Sequence, residues 1–144
     1  SFDRRFYALD AQTGEVLWSF GGENWFWGKA VSNGELLFVP SLDGYLYALD
    51  PITGTLRWSF DTKGPVLSAP VVVGNYIAVA SDAERLYVLD TTQGIEQWSY
   101  SVGAKVRAPL MAVDGTIYLS TLDHSIQSVD PARGRQMWKT STKK

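Results

Sequence analysis

Short alternating runs of apolar and polar residues cover the chain, and no window carries the three-and-four apolar spacing of an amphipathic helix of useful length. Tyr45-Leu46-Tyr47-Ala48-Leu49 is bulky and β-prone. Asp50-Pro51-Ile52-Thr53-Gly54 then supplies a turn, in which aspartate caps backbone N–H groups and glycine takes a positive φ. Residues 55–60 follow as the second strand of a hairpin. Residues 67–73 and 76–80 predict another hairpin around Gly74-Asn75, and Asn33-Gly34 and Asp114-Gly115 are expected as its equivalents, with positive φ at both central residues.

The same pattern returns every 40 residues. Asp10, Asp50, Asp90 and Asp130 keep that period, as do Gly14, Gly54, Gly94, Gly134 and Trp18, Trp58, Trp98, Trp138. Four short antiparallel strands in a unit of about 40 residues fit a propeller blade, whereas a leucine-rich solenoid has a shorter unit and WD40 repeats carry a Trp-Asp dipeptide absent here. The predicted class is therefore all-β: β-propeller blades of four antiparallel strands, about three and a half blades, belonging to or assembling into a 7- or 8-bladed propeller. Residues 1–144 read as a single repeat domain, with units at 1–20 (partial), 21–60, 61–100 and 101–140.

The spacing Asp-x-x-Thr/Gln/Arg-Gly-x-x-x-Trp resembles the tryptophan-docking motif of the quinoprotein-type (PQQ-like) propeller family. That family includes pyrroloquinoline quinone (PQQ) dehydrogenases and the non-enzymatic propeller lipoprotein of the bacterial outer-membrane β-barrel assembly machinery. The resemblance implies that the twelve Asp, Gly and Trp positions above are structural: each tryptophan lies against the next blade, aimed by the Asp/Gly turn. It further implies an extracytoplasmic location and a functional face built from two sets of loops. The interblade set is 21–29, 61–68 and 101–108, and the set between middle strands is 41–44, 81–85 and 121–125. The last interblade loop reads one residue shorter, from Tyr100 to Pro109 against Phe60 to Pro70.

Function is expected where repeats differ. The strongest departure places Trp25, Phe26 and Trp27 where Pro65, Val66 and Leu67 stand one repeat later, next to Lys29. Exposed aromatics beside a lysine suit a protein, peptide or carbohydrate ligand, and channel plugging or packing on another blade is the structural alternative. Lys29, Lys63, Lys105 and Arg107 are candidates for a basic rim opposite acids such as Asp43, Asp82 and Glu84, and His124 completes the candidate set as a surface or loop histidine.

Composition narrows the chemistry. One histidine and no cysteine leave no histidine-rich or thiolate metal site and no disulfide, so no catalytic or metal residues are assigned. PQQ enzymes of the family use a vicinal disulfide, a calcium and an aspartate base, and none of those positions is matched here residue by residue. The favoured reading is a non-catalytic binding or scaffolding module without a cofactor; the alternative is a fragment of a PQQ- and calcium-dependent alcohol or sugar dehydrogenase. A net charge of −2 and a pI near 5.3 give no global pull toward nucleic acid, and no apolar run spans a membrane. Ser1-Phe2-Asp3 aligns with Ser41-Leu42-Asp43, so the chain opens at the third strand of a blade. Such a half-blade leaves strand edges open, and the expected partners include missing blades or a second copy, two copies making seven blades' worth of strands. A compact 16.0 kDa monomer is not expected.

Overall fold

The computed structural model describes residues 2–142, so Ser1 of the alignment above lies outside the described residues. Fourteen strands form four separate antiparallel sheets. β1 (Arg5–Leu9) and β2 (Val16–Gly21) make a two-stranded sheet; the next comprises β3 (Val31–Ser32), β4 (Leu37–Pro40), β5 (Tyr45–Leu49) and β6 (Leu56–Asp61). The third contains β7 (Val71–Val73), β8 (Tyr76–Ser81), β9 (Arg85–Asp90) and β10 (Glu96–Ser101). β11 (Met111–Val113), β12 (Thr116–Ser120), β13 (Ser125–Asp130) and β14 (Arg135–Ser141) form the fourth. Every sheet pairs its strands in sequence order, as a propeller blade does.

The core lies between sheets. Phe38, Leu46 and Ala48 of one face of the second sheet join Ile77, Val79, Tyr87 and Leu89 of the third, while Val39, Tyr47 and Leu49 of its other face meet Phe6, Trp18 and Phe20 of the first. Alternate residues of a strand point to opposite faces, so a middle strand covered on both sides must be apolar throughout. That explains why β4, β5, β8 and β9 are nearly continuous hydrophobic runs.

Three joints lock neighbouring sheets. The indole N–H of Trp18 donates to the Pro51 carbonyl (3.0 Å), that of Trp58 to Thr91 (3.0 Å) and that of Trp98 to Pro131 (2.6 Å). Each ring lies on the glycine three residues further: a Cβ on Gly54, Gly94 or Gly134 would fall 2.5, 2.4 or 2.8 Å from Trp18, Trp58 or Trp98. These glycines have φ of 73°, 71° and 65°, so both the conformation and the ring's approach demand the absent side chain. A bulge aims each ring. Ala48 pairs with Trp58 but Leu49 with Leu56, which leaves Arg57 as an extra residue; the same skip occurs at Leu17, Gln97 and Met137.

Two local expectations need correction. The first interior turn is Gly34-Glu35, not Asn33-Gly34: Ser32 pairs with Leu37, the Asn33 N–H reaches the Leu36 carbonyl, and Asn33 Oδ1 caps Glu35 and Leu36. Only Asp114-Gly115 has positive φ at both central residues (49° and 77°). The last interblade loop is not shortened either, because β7 and β11 begin at Val71 and Met111, one full period apart. The proline has moved within a loop of constant length.

Candidate functional site

The two loop sets meet through a backbone pattern that also repeats every 40 residues. Gly22 N–H donates to Arg4, Thr62 to Gly44, Val102 to Glu84 and Thr142 to His124, each to the carbonyl of a residue in the left-handed region (φ 62°, 93°, 60° and 65°). His124 is thus an exposed turn residue whose backbone carbonyl receives both the N–H and the hydroxyl of Thr142. A second link joins each interblade loop to the following blade: Leu42 N–H to Trp25, Asp82 to Pro65 and Leu122 to Lys105. The carbonyls of Trp25, Pro65 and Lys105 therefore occupy equivalent places despite unrelated side chains.

On this shared backbone the side chains alternate. Phe26, Val66 and Val106 turn inward to the sheet interfaces, whereas Trp25 and Trp27, Pro65 and Leu67, and Lys105 and Arg107 flank them on the outer side. The residue after Ser41 and after Ser81, and Phe2 at the matching place one repeat earlier, completes the set. Phe2 packs edge-on against Trp25 (centroids 5.3 Å apart, 89°), and Asp82 receives Arg107 (2.9 Å) and Lys105 (3.8 Å) at the corresponding place two repeats later. Leu42 takes this position between them. Successive joints thus present an aromatic, an aliphatic and an ionic triad.

The aromatic triad encloses a cavity of about 230 Å³ lined by Phe2, Trp25, Phe26 and Trp27. Trp27 is 64% exposed and Trp25 39%, while Phe26 forms the floor against Phe6, Phe20 and Tyr47. The hollow is smaller than the roughly 300–1,000 Å³ of small-molecule sites. Below it, Tyr47 donates to Asp43 Oδ2 (2.6 Å), and burial followed by that hydrogen bond pushes its phenol well above the usual range. The tyrosine is held neutral and fixed.

The candidate cations do not share one cluster. Lys63 is bound by its neighbour Asp61 through both backbone N–H (2.8 Å) and Nζ (2.7 Å), which lowers the carboxyl and raises the amine. Lys105 and Arg107 converge on the largely buried Asp82, two positive charges against one negative. Lys29 makes no ion pair among the described residues. Phe2 was not singled out by sequence, although its alignment with Leu42 and Asp82 was the signal that could have found it. Among the described residues no three carboxylate, imidazole or thiol groups gather around a point.

The family model described as outer membrane protein assembly factor BamB matches residues 3–144. No curated protein sequence matches the chain. Among solved structures, BamB from Moraxella catarrhalis superposes with a TM-score of 0.84 at 21% identity, covering 96% of this chain and 44% of that one. The quinohemoprotein alcohol dehydrogenase ADHIIG from Pseudomonas putida HK5 gives 0.78 at 19%, covering 94% and 31%; the computationally designed Ika8 protein gives 0.84 at 17%, covering 97% and 44%. These likenesses are of fold, and the chain spans less than half the length of each of these structures.

Proposed function

Because the chain belongs to the family described as outer membrane protein assembly factor BamB, we propose that it is a non-catalytic scaffold whose loop face holds an extended segment of a protein partner. The observation that carries the reading is the aromatic cavity: a repeated backbone frame has exchanged ordinary loop residues for Trp25 and Trp27, which stand exposed beside Phe2 around a hollow sized for side chains. Exposed tryptophans in such a setting are the residues that dominate protein interfaces. Trp25, Trp27 and Phe2 grip an apolar side chain over Phe26, Lys105 and Arg107 receive polar groups two joints away, and Lys29, Lys63 and His124 lie on the surrounding loops. Family membership supports an extracytoplasmic place of action. No helix among the described residues is long and apolar enough to cross a membrane.

The test is a titration of the chain with an end-blocked heptapeptide of alternating leucine and threonine, and separately with maltoheptaose, read by tryptophan fluorescence. Saturable peptide binding, weakened at least about ten-fold by Trp27→Ala (a loss of ~1.4 kcal/mol) with unchanged circular dichroism, is the expected result. Binding of the sugar alone, no saturation, or indifference to Trp27→Ala would overturn it.

A further inference from the structure

Three equivalent places stand in a row across the loop face. Each interblade loop is tied to the blade before it and the blade after it by the same two backbone hydrogen bonds; for the loop at 61–68 these are Thr62 to Gly44 and Asp82 to Pro65. Equal frames carry unequal side chains. Trp25 and Trp27 stand exposed at the first place, and Pro65 and Leu67 flank the buried Val66 at the second. At the third, Lys105 and Arg107 have side chains 45% and 48% exposed and share the single Oδ2 of Asp82. Two cations on one carboxylate leave a positive charge facing solvent. In chain order the row reads aromatic, aliphatic, cationic.

Spacing selects the conformation of the partner. Each place crowns one interface between sheets, and sheets stacked face to face lie about 10 Å apart, so successive places are separated by roughly that step. A β-strand returns a side chain to the same face after about 6.6 Å or about 13 Å, and misses the step both times. An α-helix meets it only at about every seventh residue and stays straight, whereas blades arranged around a propeller axis set the row on an arc. A polyproline II segment has about three residues per turn at about 3.1 Å each, which brings its same-face side chains about 9 Å apart. Segments of that kind dock in aromatic-lined grooves. Resting on the scaffold reading above, we propose that the partner segment is held in polyproline II conformation and read at every third residue. An apolar residue sits on Trp25 and Trp27, and a second apolar residue, three positions along, sits on Pro65 and Leu67. A carboxylate three positions further pairs with Lys105 and Arg107.

End-blocked heptapeptides test the register by titration calorimetry. The probe Leu-Thr-Thr-Pro-Thr-Thr-Glu and its reversed sequence cover both chain directions. One of the two is expected to bind at least about ten-fold more tightly than its counterpart with Gln for Glu, and than one with the Glu moved a single residue inward. Asp82→Leu installs the residue found at 42 and 122, frees both cations and should widen the preference for Glu over Gln. Adding Lys105→Gln and Arg107→Gln to that variant should abolish the preference with unchanged circular dichroism, since no buried carboxylate is then left unpaired. Equal affinity for every register, or a Glu preference that survives the triple variant, would overturn the proposal, and saturable binding of the alternating leucine and threonine peptide would still leave the scaffold reading standing. Failure of every peptide to bind would overturn both.

Discussion

The Tyr100 phenol bonds to the Gln127 amide oxygen (3.1 Å) at a joint where the two preceding ones pack rings instead, Phe20 with Tyr47 at 5.0 Å and Phe60 with Tyr87 at 5.2 Å. Gln127 is fully buried and passes its own N–H on to the Val102 carbonyl (3.1 Å). Gln136 lies on the other side of the phenol at 2.6 Å. One phenolic proton serves one acceptor, so the Gln136 amide donates when turned to bring its otherwise partnerless buried nitrogen to the phenol oxygen. A ring pair has become a polar relay.

Removing that hydroxyl should strand buried amide groups. Tyr100→Phe is expected to cost about 1–3 kcal/mol, and adding Gln127→Tyr, which recreates the Phe60–Tyr87 pair, should recover most of it. Urea unfolding of the single and double variants measures both. A single variant as stable as the parent would mean that the relay contributes nothing.

The docking glycines separate backbone strain from ring contact. Gly14→Ala meets only the positive φ, whereas Gly94→Ala also drives a methyl into Trp58. The first should cost about 1–2 kcal/mol and the second about 1–3 kcal/mol more, in chemical denaturation. Equal losses would show that the ring yields freely.

Trp58 and Trp27 should respond in opposite ways to truncation. Trp58→Ala empties a joint and is expected to cost ~3–5 kcal/mol, while Trp27→Ala stays within about 0.5 kcal/mol because the side chain is mostly in water. Melting temperatures decide it. A large loss at Trp27 would make it part of the core and take it out of the binding face.

Acid should loosen the turns. The Thr13 and Gln12 N–H groups hold the Asp10 carboxyl below its ordinary range, those of Ile52 and Thr53 do the same for Asp50, and the hydroxyls of Thr121 and Ser125 pull Asp123 down to about 2. Each group is more acidic folded than unfolded, so between the two values the unfolded chain binds more protons. The stabilisation is complete above the unfolded value of about 3.9 and disappears as pH falls through the folded one. The urea midpoint should hold from pH 7 to about 5 and drop between about 4 and 2. Asp50→Asn should start lower at pH 7 and lose less in acid. Parallel curves for parent and variant would assign the acid loss elsewhere.

Much of this was legible in the sequence, for a physical reason. Where a ring approaches the backbone, no residue but glycine fits, so Gly54, Gly94 and Gly134 cannot vary and the period shows in plain letters. The left-handed position at 4, 44, 84 and 124 is just as regular, yet it is occupied by Arg, Gly, Glu and His, so the conformation alone does not impose glycine and leaves no letter that repeats. The bulged residues Leu17, Arg57, Gln97 and Met137 are equally unlike one another. The aromatic cavity was half visible. Trp25 and Trp27 stand out against Pro65 and Leu67, but Phe2 joins them only through the fold, and the partnership of Lys105 and Arg107 with Asp82 rests on side-chain geometry that alternation does not reveal.

Trp18, Trp58 and Trp98 each point forward along the chain, to a carbonyl 33 residues later. During synthesis the ring is therefore made before its seat. At 5–20 residues per second the ribosome needs about 2–7 s to supply each seat, and for that interval a blade can be complete in sequence while its largest apolar side chain lacks its cover. Blades would then be sealed one after another from the N-terminal side, each newly made turn closing over the tryptophan of the blade before it. A translational pause placed just after one of these tryptophans would prolong that exposure, whereas a pause after the next Asp-to-Gly turn has cleared the ribosome would not.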